Sequence, residues 1–271
     1  MAILEPFALA IGILLSYVYE FTLSYGFAIA ILTVIINVII FPLTLRQTRS
    51  TKRMQDAQSD IKKLQKEHKD NKEELNKAMA AMYKEKGINP LGCILPLIIQ
   101  MPIWFALFRV LREPLDFIPS ASALFKDLEA STSLTFFNMN LQIPPAEVSG
   151  WVERAPYLIL ILFVILTALY QQQQITKKTG KSDNPQAQQM QMIGKVMPIF
   201  FGFISWTLPT GLVVYFLTGN IFRIGQQALI VKLDDREEVK KEEKKEENNE
   251  DTQPKPIQEN PRKNRKKRRR K

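Results

Sequence analysis

Twenty-one consecutive residues, Tyr25 to Leu45, carry no charge. A helix of about 20 apolar residues crosses a bilayer core, so this run restricts the chain to folds that hold a membrane-spanning helix. One side-chain amide, Asn37, sits in its middle, and the run passes directly into Arg46-Gln47-Thr48-Arg49-Ser50-Thr51-Lys52-Arg53. A polar group at that depth is costly and points to function. An amide bonded to a neighbouring helix is the plainer alternative.

Mean composition conceals this class, because apolar runs alternate with strongly charged segments. The net charge of +10 comes almost entirely from Arg262 to Lys271, where nine of ten residues are Lys or Arg. The one cysteine, Cys93, excludes an intramolecular disulfide and a Cys-based zinc site. The one histidine, His68, lies in a charged segment with no second ligand near it. No phosphate-binding glycine loop, dinucleotide fingerprint or nucleophile set is present. No catalytic residue, cofactor or metal is therefore expected.

Residues 1–24 have an apolar core, Phe7 to Tyr19, of 13 residues bounded by Glu5 and Glu20. That is short for a span. A helix lying in the membrane interface is favoured over a short span in a tight hairpin with the next helix. The first span takes residues 25–46. Residues 47–90 change character, with 11 Lys/Arg against 7 Asp/Glu from Gln47 to Gly87. Apolar Met54, Ala57, Ile61 and Leu64, then Leu75, Ala78, Met79 and Met82, make a heptad-like stripe on two helices folded into an antiparallel hairpin.

The second span, residues 91–112, holds Pro96, Pro102 and Gln100, and ends at Arg109 and Arg112. Residues 113–155 read as a loop of short surface elements. The third span is residues 156–175, a loop with Lys177, Lys178 and Lys181 takes 176–191, and the short fourth span is 192–208. After the turn at 209–211 the fifth span takes 212–232. Residues 233–271 are charged and apolar-poor, which predicts disorder. Lys and Arg concentrate in the hairpin, the Lys177 loop and the tail, so the positive-inside rule puts these in the cytoplasm and the N-terminus outside. The fold class expected is an all-α polytopic membrane protein with five spans.

Separated motifs then carry a resemblance. Pro42-Leu43 is followed by Gln47-Thr48-Arg49-Ser50 and Met54-Gln55. Tyr83-Lys84-Glu85-Lys86-Gly87-Ile88-Asn89-Pro90-Leu91-Gly92-Cys93 ends the hairpin. Next come Pro96, Ile99-Gln100-Met101-Pro102-Ile103, Met197-Pro198 and Pro209-Thr210-Gly211-Leu212-Val213-Val214-Tyr215, then Asn220 and Gln226-Gln227. From about Leu4 to Leu233 the chain resembles the YidC/Oxa/Alb family of membrane protein insertases. The resemblance implies five helices around a hydrophilic groove open to the cytoplasm and to lipid. It also implies a client-receiving hairpin and no nucleotide hydrolysis. The expected location is the bacterial cell membrane, and the expected partners are nascent membrane proteins, membrane lipids and the ribosome, with the general translocon a further candidate. Without a large extracytoplasmic domain or a lipoprotein signal, the chain resembles a compact bacterial form.

One departure matters. Many members carry an arginine five residues before the Pro-Leu pair, and here that position is Asn37. The fifth span holds Arg223, the one ionisable residue well inside a span. Phe216, Asn220, Arg223 and Gln227 follow a 4-3-4 spacing that sets them on one helix face. Asn37 and Arg223 each lie twelve residues from the outer end of their helix, at about 18 Å of depth. The expected client groove therefore combines Asn37, Gln100, Phe216, Asn220 and Arg223, with Arg223 supplying its charge. The alternative is that Arg223 snorkels to the cytoplasmic interface. The basic tail is expected to contact ribosomal RNA phosphates, with anionic lipid as the competing ligand.

Overall fold

The computed structural model describes residues 4–88, 95–130, 134–177 and 185–251. Cys93, Lys178, Lys181 and the Arg262–Lys271 basic run lie outside them. The helices are α1 (Glu5–Thr22), α2 (Tyr25–Asp56), α3 (Gln58–Glu67), α4 (Lys72–Glu85), α5 (Leu95–Arg112), α6 (Ala123–Glu129), α7 (Trp151–Lys177), α8 (Pro185–Ser205) and α9 (Thr210–Asp251). Two short strands, β1 (Thr135–Phe136) and β2 (Met139–Asn140), pair antiparallel with Thr135 opposite Asn140 and Phe136 opposite Met139. The chain divides into two units, Met1–Gln227 and Ala228–Lys271.

Among the described residues, two helices are long and apolar enough to cross a membrane, Tyr25–Thr48 and Trp151–Gln174. α2 does not stop where its apolar run stops. It continues through Pro42 and the basic segment to Asp56, because Arg, Gln, Lys and Met are good helix formers and no glycine interrupts them. The stretch 47–56, expected as part of the hairpin, is thus a continuation of the first apolar helix. The break falls at Ala57, and α3 and α4 follow. Asn71 caps α4, its Oδ1 accepting from the backbone N–H of Glu73 at 3.1 Å and Glu74 at 3.2 Å. His68 Nδ1 sits 3.4 Å from Glu74 Oε2 at one end of the α3–α4 pair. At the other end Lys86 Nζ pairs with Asp60 and holds its carboxyl below the usual carboxylate range. The two helices therefore run in opposite directions.

Two further features complete the fold. It is mostly helical, as expected, and β1 and β2 add one short hairpin. Its two-residue turn places Phe137 at φ 49° and Asn138 at φ 61°, the paired left-handed geometry that suits the twist of a tight hairpin. The charged stretch expected to be disordered also begins as helix, for α9 carries on to Asp251. From Glu237 to Glu247 the sequence holds only Glu, Lys and Val, with opposite charges three and four residues apart. Such spacing supports a helix that has no apolar face.

Residues 113–130 and 134–150 form a packed cap. Ser122 Oγ accepts from Phe125 N at 3.2 Å to start α6, and Leu124, Leu128, Leu134, Met139 and Leu141 are buried with Phe117 and Ile118. Buried residues of α1 (Ala8, Ile11, Leu15, Val18, Tyr19) join the same core, as do Ala28, Ile29 and Leu32 of α2 and Leu107, Val110 and Leu111 of α5. Polar bonds fasten the cap. Tyr19 Oη donates to Asp127 Oδ2 at 2.8 Å, and burial followed by this bond pushes the phenol up to about 12. Asn140 N donates to Tyr157 Oη at 2.7 Å. Thr210 Oγ1 donates to Ile143 O at 2.7 Å, and Gly211 N donates to Leu141 O at 2.8 Å.

Candidate functional site

Among the described residues of the first unit, the buried apolar core occupies one half of the bundle. On α2 burial of apolar side chains ends at Leu32, and on α7 it ends at Val164. On α9 it ends at Tyr215 within the first unit, and on α5, which enters the cap at its C-terminal end, it begins at Ala106 among the described residues. These four limits set apart a cap-side stretch on each helix. On the cap side apolar side chains interlock. On the other side the same helices offer Asn37, Gln100, Thr167, Asn220 and Arg223, and few side chains are fully covered.

Each of these polar groups has a defined placement. Thr33, fully buried, donates from Oγ1 to Ile29 O at 2.7 Å, and Asn37 Nδ2 donates to Thr33 O at 2.7 Å. The Asn37 amide thus bonds its own helix through Nδ2 and is half-buried. Gln100 Nε2 donates to Tyr215 Oη at 2.5 Å and ties α5 to α9. Asn220 is 7% exposed, and its Nδ2 donates to Val164 O and Thr167 Oγ1, both at 3.2 Å. Its amide is turned to α7. Phe216, half-buried, meets Phe201 of α8 edge to face, with ring centroids 5.6 Å apart. Arg223 is half-buried and has no hydrogen bond or ion pair among the described residues.

Geometry therefore brings Gln100 to α9 and fixes Asn220 against α7. It adds residues that sequence reasoning did not select. Tyr215 is buried beside Phe216 and receives the Gln100 bond. Thr33 lies across from Gly219, where an added Cβ would meet the Thr33 methyl at 3.9 Å. Tyr215 was visible as part of a motif, but no sequence signal pairs it with Gln100. Gln226, 8% exposed, also lies in this half with its Nε2 buried and unpartnered among the described residues.

A polar half beneath a closed apolar cap can hold water and polar groups part-way across a membrane. Burying an unpaired amide or charge in hydrocarbon costs several kcal/mol, roughly the penalty a polar flank meets when it crosses alone.

Comparison with known proteins supplies context. The family model described as "60Kd inner membrane protein" matches residues 17–238. The "Membrane protein insertase YidC" of Pelobacter propionicus is 34% identical over 220 residues, covering 81% of this chain and 37% of that protein. That of Helicobacter pylori (strain ATCC 700392 / 26695) is 33% identical over 227 residues, covering 84% of this chain and 36% of that protein. "Inner membrane ALBINO3-like protein 2, chloroplastic" of Chlamydomonas reinhardtii is 33% identical over 229 residues, covering 80% and 53%. The chain spans little more than a third of the length of these bacterial relatives. A crystal structure titled "Active YidC insertase crystal structure with the first transmembrane domain resolved" shares the fold. Its TM-score is 0.51 at 24% identity, over 79% of this chain and 43% of that one.

Proposed function

This chain belongs to the YidC/Oxa/Alb family of membrane protein insertases, and from that membership we propose that it inserts and helps to fold membrane proteins through a polar groove, without nucleotide hydrolysis. The observation that carries this reading is the division of the bundle into an apolar capped half and a polar half. Five helices, α2, α5, α7, α8 and α9, span the bacterial cell membrane, with the cap outside and the α3–α4 hairpin in the cytoplasm. α1 lies in the interface against the cap, in keeping with its buried face. A client's polar flank enters from the cytoplasm and rests among Asn37, Gln100, Phe216 and Arg223. The apolar distance it must still cross is shortened. The client's own apolar helix then partitions into lipid, at about 25 cal/mol per Å2 removed from water, and that partition drives release.

Arg223 supplies the groove's charge. The approach of Thr33 to Gly219 supports this, because α2 and α9 both leave the cap in the same direction and four residues further along each stand Asn37 and Arg223. Asn220 acts beside the groove as a clasp between α9 and α7. Depletion of the protein followed by tracking of newly made small membrane proteins tests the function. Loss of their insertion, with water-soluble proteins unaffected, is expected. Unchanged insertion would refute it.

The basic run Arg262–Lys271 holds the ribosome, its nine positive charges meeting RNA phosphates and releasing counterions. Ribosome pelleting with the full chain is expected to fall steeply as salt rises, and to fall further when these ten residues are removed. Equal pelleting with and without them would exclude that role and leave anionic lipid or the translocon as the partner of the tail.

A further inference from the structure

We propose that a cleft at the capped end of the bundle binds one zwitterionic phosphoethanolamine lipid by its headgroup. The inference rests on the placement of the cap at the outer membrane face given above, and not on the groove. The cleft has a volume of about 430 Å3 and is lined by Phe108 and Arg112 of α5, Gln142 and Glu147 of the cap, and Thr207 and Leu208 of the turn between α8 and α9. Its walls are fastened by backbone bonds. Ala146 N donates to Trp206 O and Thr210 N to Ile143 O, both at 3.1 Å. The cleft is therefore part of the folded cap rather than a gap between mobile loops.

Its charges identify the ligand. Arg112 and Glu147 line the same cavity, yet neither forms an ion pair with the other or with another described residue. The Arg112 guanidinium is held over the Phe108 ring, 5.6 Å from its centroid, which leaves its N–H edge free for an oxyanion. Opposite charges kept apart across a cavity suit a ligand that carries both charges itself. A phosphodiester meets Arg112, and a primary ammonium donates to Glu147. The Gln142 amide and the Thr207 hydroxyl oxygen serve the remaining polar atoms, and Phe108 and Leu208 face the ester region. A glycerol headgroup would bring the same phosphodiester to Arg112 but only neutral hydroxyls to Glu147, without a countercharge for the carboxylate. A choline headgroup has no N–H to donate to it.

The test uses the purified full chain in detergent, titrated with phosphatidylethanolamine, phosphatidylglycerol or phosphatidylcholine and read by native mass spectrometry. One phosphatidylethanolamine is expected to bind about tenfold tighter than either other lipid. Arg112→Gln and Glu147→Gln should each lose about tenfold in affinity, the usual worth of a charged hydrogen bond, while Arg112→Lys keeps most of it. Both side chains are exposed, so thermal unfolding and client insertion should stay unchanged. Equal affinity for the three lipids, or no effect of Glu147→Gln, would overturn the proposal. Soluble glycerophosphoethanolamine binding as tightly as the lipid would overturn the assignment to a membrane ligand.

Discussion

Arg223→Ala is expected to reduce insertion of a client with an acidic translocated flank by at least about tenfold, and Asn37→Arg in the same chain is expected to restore it. The scale follows from the cost of placing one charged side chain at the centre of a membrane helix, about 2.5–3.5 kcal/mol on insertion scales. A groove arginine offsets part of that cost for a carboxylate, and 1.4 kcal/mol is already a factor of about ten. Removing Arg223 takes away that offset without opening the packed core, since the side chain is only half-buried and has no ion-pair partner among the described residues. Asn37→Arg returns a charge at matching depth on α2. A client with a neutral flank should lose much less. Normal insertion of the acidic client by the Arg223→Ala protein would mean that the arginine only reaches for the interface.

The second large effect is on stability. Glycine to alanine inside a helix normally gains up to about 1 kcal/mol. At Gly12 the sign should reverse, because a Cβ there would lie 2.2 Å from the backbone oxygen of Phe117. Backbone cannot rotate aside, so α1 must back away from the cap, and overpacking of this kind costs about 1–3 kcal/mol. The loss is concentrated where it matters. In lipid the spans gain little from hydrophobic association, whereas each buried Leu or Met of the cap contributes about 1.5–3 kcal/mol. Gly12→Ala should therefore lower the unfolding temperature. Gly26→Ala should cost less, because the neighbour of its Cβ is the Phe136 ring, a side chain that can turn. Gly225→Ala, with nothing within 4 Å, should be neutral or stabilising. A stabilised Gly12→Ala protein would mean that α1 is not seated on the cap.

The apolar runs Tyr25–Leu45 and Pro156–Tyr170 were legible in the sequence because length alone decides whether a helix can cross a bilayer. Helix ends were not. Leu45 ends an apolar run, but Arg46 to Asp56 have no reason to leave the helix, so the change of polarity there marks no change of structure. High charge without an apolar face does not exclude a helix either, and α9 runs on to Asp251. The hairpin at Phe137-Asn138 escaped because its left-handed turn uses no glycine. At the site, the 4-3-4 spacing sets Phe216 and Asn220 four residues apart on α9. Periodicity cannot say which helix covers either of them, and Asn220 meets α7 through Val164 and Thr167. Gln100 was selected as a polar group in a span, while its partner Tyr215 became visible only when α5 and α9 were set side by side. Of the cap's buried residues only Leu124 and Leu128, four apart on α6, keep a helical period; Leu134 and Leu141 lie outside any helix, and their packing had no periodic signal.

Water access separates the polar half from the capped half most directly. Single cysteines at Asn37, Gln100, Arg223, Thr33 and Val110, in a Cys93→Ser background, would be treated with a membrane-impermeant maleimide from each side of sealed vesicles. Asn37→Cys, Gln100→Cys and Arg223→Cys are expected to react from the side bearing the α3–α4 hairpin only, and Thr33→Cys and Val110→Cys from neither side. Labelling of the first three from the cap side, or failure of all three to react, would contradict a groove that is open to the cytoplasm and closed by the cap.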